Sequence, residues 1–256
     1  MKGTAFDLTG RVALVTGGSK GLGQAIARTF AQAGADVIIS ARHESDLARV
    51  AEEIRAESGG RIAYVVADLL KRADTERLAD AALAQFGKVD ILVNNAGTNR
   101  PQPIDEISDK DWDELFELNV TSCMLLTRRL APQMKERRWG RIIYMSSMMA
   151  IATAAGRSIY SATKAALIGM TRASALDLGP FGITVNCLAP GLIDTELSQA
   201  TLTPERRAVI IPRVALERSG RPEEVAAPAL LLASNAGSYI TGSVLVVDGG
   251  ITARVF

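Results

Sequence analysis

Seven short runs rich in Val, Ile and Leu recur along the chain, each separated from the next by enough residues for a helix. This rhythm restricts the fold more than any other feature. The runs occupy 11–16, 36–40, 61–66, 89–93, 141–145, 184–187 and 244–247, with helical patterns at 21–33, 44–58, 72–86, 109–137, 158–178 and 222–234. The runs are nearly continuous rather than alternating, which marks strands covered on both faces, and strands alternating with helices build a parallel sheet. The expected architecture is therefore α/β: a doubly wound Rossmann fold with a seven-stranded parallel sheet and helices on both faces. No repeat and no Pro/Gly/Ser linker divides the 256 residues, so one domain over 1–256 is expected against a prior of about 150 residues per domain. The stretch between Gly191 and Pro222 shows no strand and no long helix. Long loops in compact domains are usually functional, so the segment at 192–215 is expected to fold over a substrate.

Composition removes several classes of function. With 29 Lys and Arg against 28 Asp and Glu, a formal charge of +1 offers no field for nucleic acid or an anionic membrane. Asp7 and Arg11 precede any apolar run, so no signal peptide is expected, and no uncharged apolar stretch approaches the roughly 20 residues of a membrane span. Cys123 and Cys187 lie far apart and suit neither a disulfide framework nor a thiolate metal site, which makes the cytoplasm the expected compartment. His43 is the single histidine and reads as a loop residue, so no metal site is expected. Proton transfer near neutral pH then falls to a carboxylate, a Lys or a Tyr of shifted pKa.

The first strand runs into Thr16-Gly17-Gly18-Ser19-Lys20-Gly21-Leu22-Gly23, which opens a helix. Glycines here allow a sharp turn and let backbone approach a phosphate at the positive end of the helix. A Walker A loop fails, because Gln24 and Ala25 follow Gly23 where Lys and Ser/Thr are required. Gly17 to Gly21 also fits G-x-S-x-G, but a serine hydrolase needs several strands before that elbow and a later His, and neither exists here. At the tip of the second strand stands Ser40-Ala41-Arg42, with no carboxylate to bond a ribose 2′-hydroxyl. Arg42 and Lys20 favour a 2′-phosphate, hence NADP with NAD as the alternative; solvated surface cations are the plain reading of both.

Tyr160 and Lys164 are four residues apart, on one face of one helix. A cation roughly 5 Å from a phenol at an effective dielectric of about 20 is worth around two pK units, enough to bring Tyr160 toward working range. An ordinary amphipathic helix is the plain alternative. Ser147 follows the fifth strand at the carboxyl edge of the sheet, where open α/β folds bind ligands, although a serine there is more often a turn former.

Together these residues resemble the short-chain dehydrogenase/reductase family across nearly the whole chain. The likeness rests on Thr16-Gly17-x-x-x-Gly21-x-Gly23, Asp68, Asn94-Asn95-Ala96-Gly97, Asn119, Ser147, Tyr160-x-x-x-Lys164, Pro190-Gly191 and Asp248-Gly249-Gly250. It implies hydride transfer between NAD(P) and a carbonyl carbon. Tyr160 is then the acid/base, Lys164 the holder of the nicotinamide ribose, Ser147 the polariser of the carbonyl, and Asn119 the residue that fixes a relay water. The likeness extends cofactor contacts to Ser19, Leu22, Asp68, Leu69, Asn95, Ala96, Gly97, Pro190, Gly191, Ile193 and Thr195. It also implies a homotetramer. Two branches are similar: dehydrogenases of sugar acids such as gluconate, and reductases of 3-oxoacyl chains on acyl carrier protein. Arg138 matches one carrier-docking cation of the second branch, whereas Phe181 replaces the other. Arg100 and Arg157 are candidates to meet a substrate carboxylate, while Met148 and Met149 suit an acyl chain. A dinucleotide-sensing module without catalysis is the alternative of another class, and it would not need Ser147, Tyr160 and Lys164.

Overall fold

All seven apolar runs form strands in a computed structural model, which describes residues 3–196, 198 and 202–253. These are β1 (Val12–Thr16), β2 (Asp36–Ala41), β3 (Ile62–Val66), β4 (Ile91–Asn94), β5 (Gly140–Met145), β6 (Ile183–Pro190) and β7 (Val244–Val247). They make one parallel sheet in the order β3-β2-β1-β4-β5-β6-β7. The helices are α1 (Gly21–Gln32), α2 (Glu44–Ser58), α3 (Arg72–Phe86), α4 (Asp109–Phe116), α5 (Ser122–Glu136), α6 (Ser158–Leu178), α7 (Pro204–Ile210) and α8 (Pro222–Ala233).

Side chains alternate across a strand, so each strand feeds two cores. Val15, Ile39, Val93 and Ile143 pack with Ile26 and Phe30 of α1, Leu47 of α2 and Val225 of α8. Their neighbours Leu14, Ile38, Leu92 and Ile142 pack on the other face with Leu78 of α3, Leu126 of α5 and Leu167 of α6. Burial on both faces explains why the runs carry no polar alternation. The chain winds from β1 to β3 in one direction and resumes at β4 on the other side of β1. Connections therefore diverge above β1 and β4, leaving a crevice at their carboxyl ends.

The structure corrects the expected helix over 109–137. A π-helical turn, Glu117–Thr121, separates α4 from α5 and carries Asn119 into the interior. β6 runs three residues beyond the expected end at Cys187, because Leu188, Ala189 and Pro190 pair with Leu245, Val246 and Val247 of β7. The stretch after β6 is more ordered than its composition suggests. It contains α7, whose Thr203 cap accepts from the Arg206 N–H, and a parallel bridge between Ile193 and Gly220. Of the segment at 192–215, residues 197 and 199–201 lie outside the described residues. No helix among the described residues is long and apolar enough to cross a membrane.

Candidate active site

The glycine turn is built by close approach of backbones. A Cβ on Gly23 would lie 2.2 Å from the Gly17 carbonyl oxygen, and one on Gly17, where φ is +64°, would lie 2.9 Å from Asn95 Nδ2. Asn95 ties this turn to the end of β4: its Nδ2 donates to the carbonyls of Thr16 (2.8 Å) and Gly17 (3.3 Å). The Thr16 hydroxyl accepts from the N–H groups of Asn95 and Ala96, both at 3.0 Å. Thr16 was part of the sequence motif but not among the expected site residues. The first turn of α1 has no acidic side chain, and its N-cap, Lys20, makes no side-chain cap bond. The positive helix end is thus left for an external anion.

Lys164 and Tyr160 meet as their spacing predicts. The Lys164 side chain is buried, with Nζ 5.5 Å from the centroid of the Tyr160 ring, and it donates to the Met145 carbonyl at 2.8 Å. The Ser146 hydroxyl, at the end of β5, donates to the Lys164 carbonyl at 2.7 Å. Strand β5 and helix α6 are thereby locked together at the site. Ser147 follows Ser146 and is buried; its Oγ accepts from the Met149 N–H at 3.1 Å. A Cβ on Gly97 would sit 3.0 Å from Asn119 Oδ1 and 3.3 Å from Lys164 Nζ, so only glycine leaves room where these two groups converge.

Asn119 is fully buried. Its Nδ2 donates to the Thr98 carbonyl (3.0 Å) and the Thr163 hydroxyl (3.1 Å), and its Oδ1 accepts from the Thr98 N–H (3.0 Å). Thr163, which the sequence did not single out, donates in turn to the Tyr160 carbonyl at 2.8 Å. Both amide protons of Asn119 are therefore occupied by protein, and the residue stands behind the wall of the site.

One cavity of about 1100 Å³ gathers nearly all the expected residues. Gly17, Ser19, Lys20, Gly21, Leu22, Arg42, Asp68, Leu69, Asn95, Ala96 and Gly97 line one side. Ser147, Tyr160, Lys164, Pro190, Gly191, Ile193 and Thr195 complete it, whereas Gly23 and Asn119 are not in its lining. Arg42 is exposed and makes no ion pair among the described residues. Lys20 differs from expectation: its Nζ lies 3.9 Å from a carboxylate oxygen of Glu196, itself in the lining. Arg100 also differs, being paired with both Asp111 and Glu114. Those carboxylates hold its pKa above the ordinary value, Glu114 most strongly, and already balance its charge.

Several lining residues were not anticipated. Ser40 is buried, its Oγ without a partner among the described residues, at the tip of β2. Arg206, Val209 and Ile210 come from α7, inside the segment at 192–215 that was expected over the substrate, but none of them was singled out as a residue. Pro190 and Gly191 are positioned by the C-terminal loop: a Cβ on Gly191 would lie 2.6 Å from the Asp248 Cα. The Asp248 carboxylate accepts from the N–H groups of Gly250 and Thr252, at 2.8 and 3.0 Å, which shapes that loop.

A doubly wound sheet with this glycine turn over its switch point defines a Rossmann-like α/β protein. A family model described as enoyl-(acyl carrier protein) reductase matches residues 17–252. The chain belongs to the short-chain dehydrogenase/reductase family, as its motifs led us to expect. It is 45% identical to an uncharacterized oxidoreductase of Mycobacterium tuberculosis (strain CDC 1551 / Oshkosh), covering 96% of this chain and 94% of that one. It is 38% identical to the 3-oxoacyl-[acyl-carrier-protein] reductase of Salmonella typhimurium, covering 96% and 99%. Among solved structures, a putative NAD(P)-dependent gluconate 5-dehydrogenase from Beutenbergia cavernae with bound NADP superposes with a TM-score of 0.93 at 39% identity, covering 98% and 100%. A 7α-hydroxysteroid dehydrogenase complexed with NADH and 7-oxo glycochenodeoxycholic acid superposes with a TM-score of 0.93 at 36% identity, covering 96% of each chain.

Proposed function

We propose that this oxidoreductase interconverts a ketone and a secondary alcohol, with NADP preferred over NAD and a small polar substrate of sugar-acid type. The observation that carries the reading is the meeting of Ser147, Tyr160 and buried Lys164 in one cavity with the glycine turn. The residues suit a dinucleotide. The close-packed glycines and the acid-free end of α1 can hold a diphosphate, while the unpartnered Ser40 hydroxyl and Arg42 can meet the adenosine ribose or its phosphate. When bound, the nicotinamide supplies or accepts the hydride.

The protein's own part is polar. The Ser147 Oγ–H is free to donate to a substrate oxygen, because Oγ meets the Met149 N–H as an acceptor. The Tyr160 hydroxyl delivers or removes the proton at that oxygen, with the Lys164 cation over its ring, 5.5 Å from the centroid. Asn119 holds the π turn and Thr163 behind Tyr160 and so acts as a positioning residue.

A second reading, reduction of a 3-oxoacyl chain on its carrier, is favoured by Met148, Met149, Val209 and Ile210 in the cavity lining. Against it, Phe181 stacks beneath Lys135, with Nζ 4.7 Å from the ring, and Arg138 donates to the Pro180 carbonyl instead of standing free. The test is a panel of keto acids, polyols and a 3-oxoacyl thioester, followed through absorbance of the reduced nicotinamide. Positioned acid/base catalysis is worth roughly 10² to 10⁴ in rate, so Tyr160→Phe is expected to lose at least about 10² in turnover while binding cofactor normally. Unchanged turnover in that variant would remove Tyr160 from the reaction. Exclusive use of the thioester would favour the second reading, and cofactor binding without turnover of any compound would leave a sensing module.

A further inference from the structure

Six Lys and Arg side chains line the cavity: Lys20, Arg42, Arg100, Arg157, Lys164 and Arg206. Their electrical circumstances differ. Lys20 faces Glu196, Arg100 is held by Asp111 and Glu114, and Lys164 is bonded to the Met145 carbonyl. Arg42 stands at the tip of β2. Arg157 and Arg206 remain, and neither makes an ion pair or a side-chain hydrogen bond among the described residues. Arg157 is the N-cap residue of α6, three residues before Tyr160, and it is half-buried. Arg206 sits on α7, which packs over the same cavity.

Burial holds the Arg157 pKa below its ordinary value, and the charge of Arg206 pushes the same way, against the attraction of Tyr160. Both guanidiniums face the cavity that Tyr160 also lines. Glu205, the carboxylate next in sequence to Arg206, is held below its usual pKa by the Thr203 hydroxyl at the start of α7. Arg157, half-buried, and Arg206, exposed, face the same cavity with no carboxylate paired to either among the described residues, and an anion held between them would compensate both charges.

We propose that Arg157 and Arg206 form a clamp for a carboxylate of the substrate, so that the specificity of the site is for keto acids and hydroxy acids over their neutral counterparts. The assignment rests on the ketone and alcohol reading above. It gives α7 a function, because the clamp is assembled only when Arg206 lies opposite Arg157. Arg100 is excluded from this duty by its own two carboxylates.

The test is equilibrium binding of 5-keto-gluconate and of its methyl ester to the protein saturated with oxidised cofactor, which cannot reduce either compound. Wild type is compared with Arg157→Gln and Arg206→Gln. Each substitution is expected to weaken the acid by about tenfold or more and the ester by less than about twofold. Arg157→Lys and Arg206→Lys, which keep the charge but lose the planar fork, are expected to fall between. Retained ester binding shows that the variants fold. Equal binding of acid and ester by wild type would overturn the clamp, as would parallel loss of both ligands or a loss of cofactor affinity in the variants. Selective acid binding without turnover in the reduced-cofactor assay would support the clamp and count against the proposed reaction.

Discussion

Arg42 and Lys20 look equivalent in sequence but differ in their surroundings. A phosphate arriving at Lys20 must compete with Glu196, and both partners of that pair are largely exposed, so the pair itself contributes little. Arg42 has no carboxylate to displace and presents a fork that matches phosphate oxygens. We therefore expect Arg42→Ala to raise the KM for NADPH by about tenfold or more and to leave that for NADH nearly unchanged. Lys20→Ala should have the smaller effect. Added salt should shrink the difference between the two cofactors, because both cations are reached by counterions. Steady-state kinetics with each cofactor at low and high ionic strength checks this; equal weakening of both would make Arg42 a surface charge without a role in selection.

At the level of elements, the glycine turn between β1 and α1 is the most tightly constrained connection in the site. Gly23→Ala places a methyl group against the Gly17 carbonyl, which is backbone and cannot swing aside. Overpacking of this kind typically costs about 1–3 kcal/mol, so a lowered Tm is expected together with loss of cofactor binding. Thermal unfolding with and without NADPH measures both, and a variant that is still stabilised normally by the cofactor would contradict the packing. The strands and most helices were legible because their signals are local: apolar runs buried on two faces, and turn glycines at their ends. Tyr160 with Lys164 was legible for the same reason, being one turn of one helix. What escaped depends on distant partners. The π turn exists where Asn119 reaches Thr98 and Thr163, and nothing in residues 117–121 announces them. Arg100 read as an available cation because Asp111 and Glu114 meet it only after α4 has formed.

For the whole molecule, the surface away from the cavity carries large apolar groups that water does not favour. Leu176 of α6 is 80% exposed and Tyr239 fully exposed, while Met124 of α5 and Val246 of the edge strand β7 are also exposed. An unpaired strand edge and scattered apolar side chains on two long helices are features that association covers. We propose the homotetramer that the family resemblance implies, for which light scattering should give four times the 27.2 kDa chain mass. Leu176→Asp together with Tyr239→Asp should reduce that mass while leaving the fold intact by circular dichroism. A wild-type protein that scatters as a single chain at micromolar concentration would refute the assembly.

The wider turn at Glu117–Thr121 also says something about how this region tolerates change. The helices on either side answer to different neighbours, α4 to α6 and α5 to α3. A π turn holds about one residue more than an α turn, so removing that residue would close the rod into a regular helix and leave the two flanking faces nearly where they are. Leu126 and Leu130 would keep the interior, and what would move is Asn119, away from Thr98 and Thr163. The extra residue between Trp112 and Leu126 therefore serves the site and not the packing: a chain shortened by one here would keep its fold and lose the placement of Asn119.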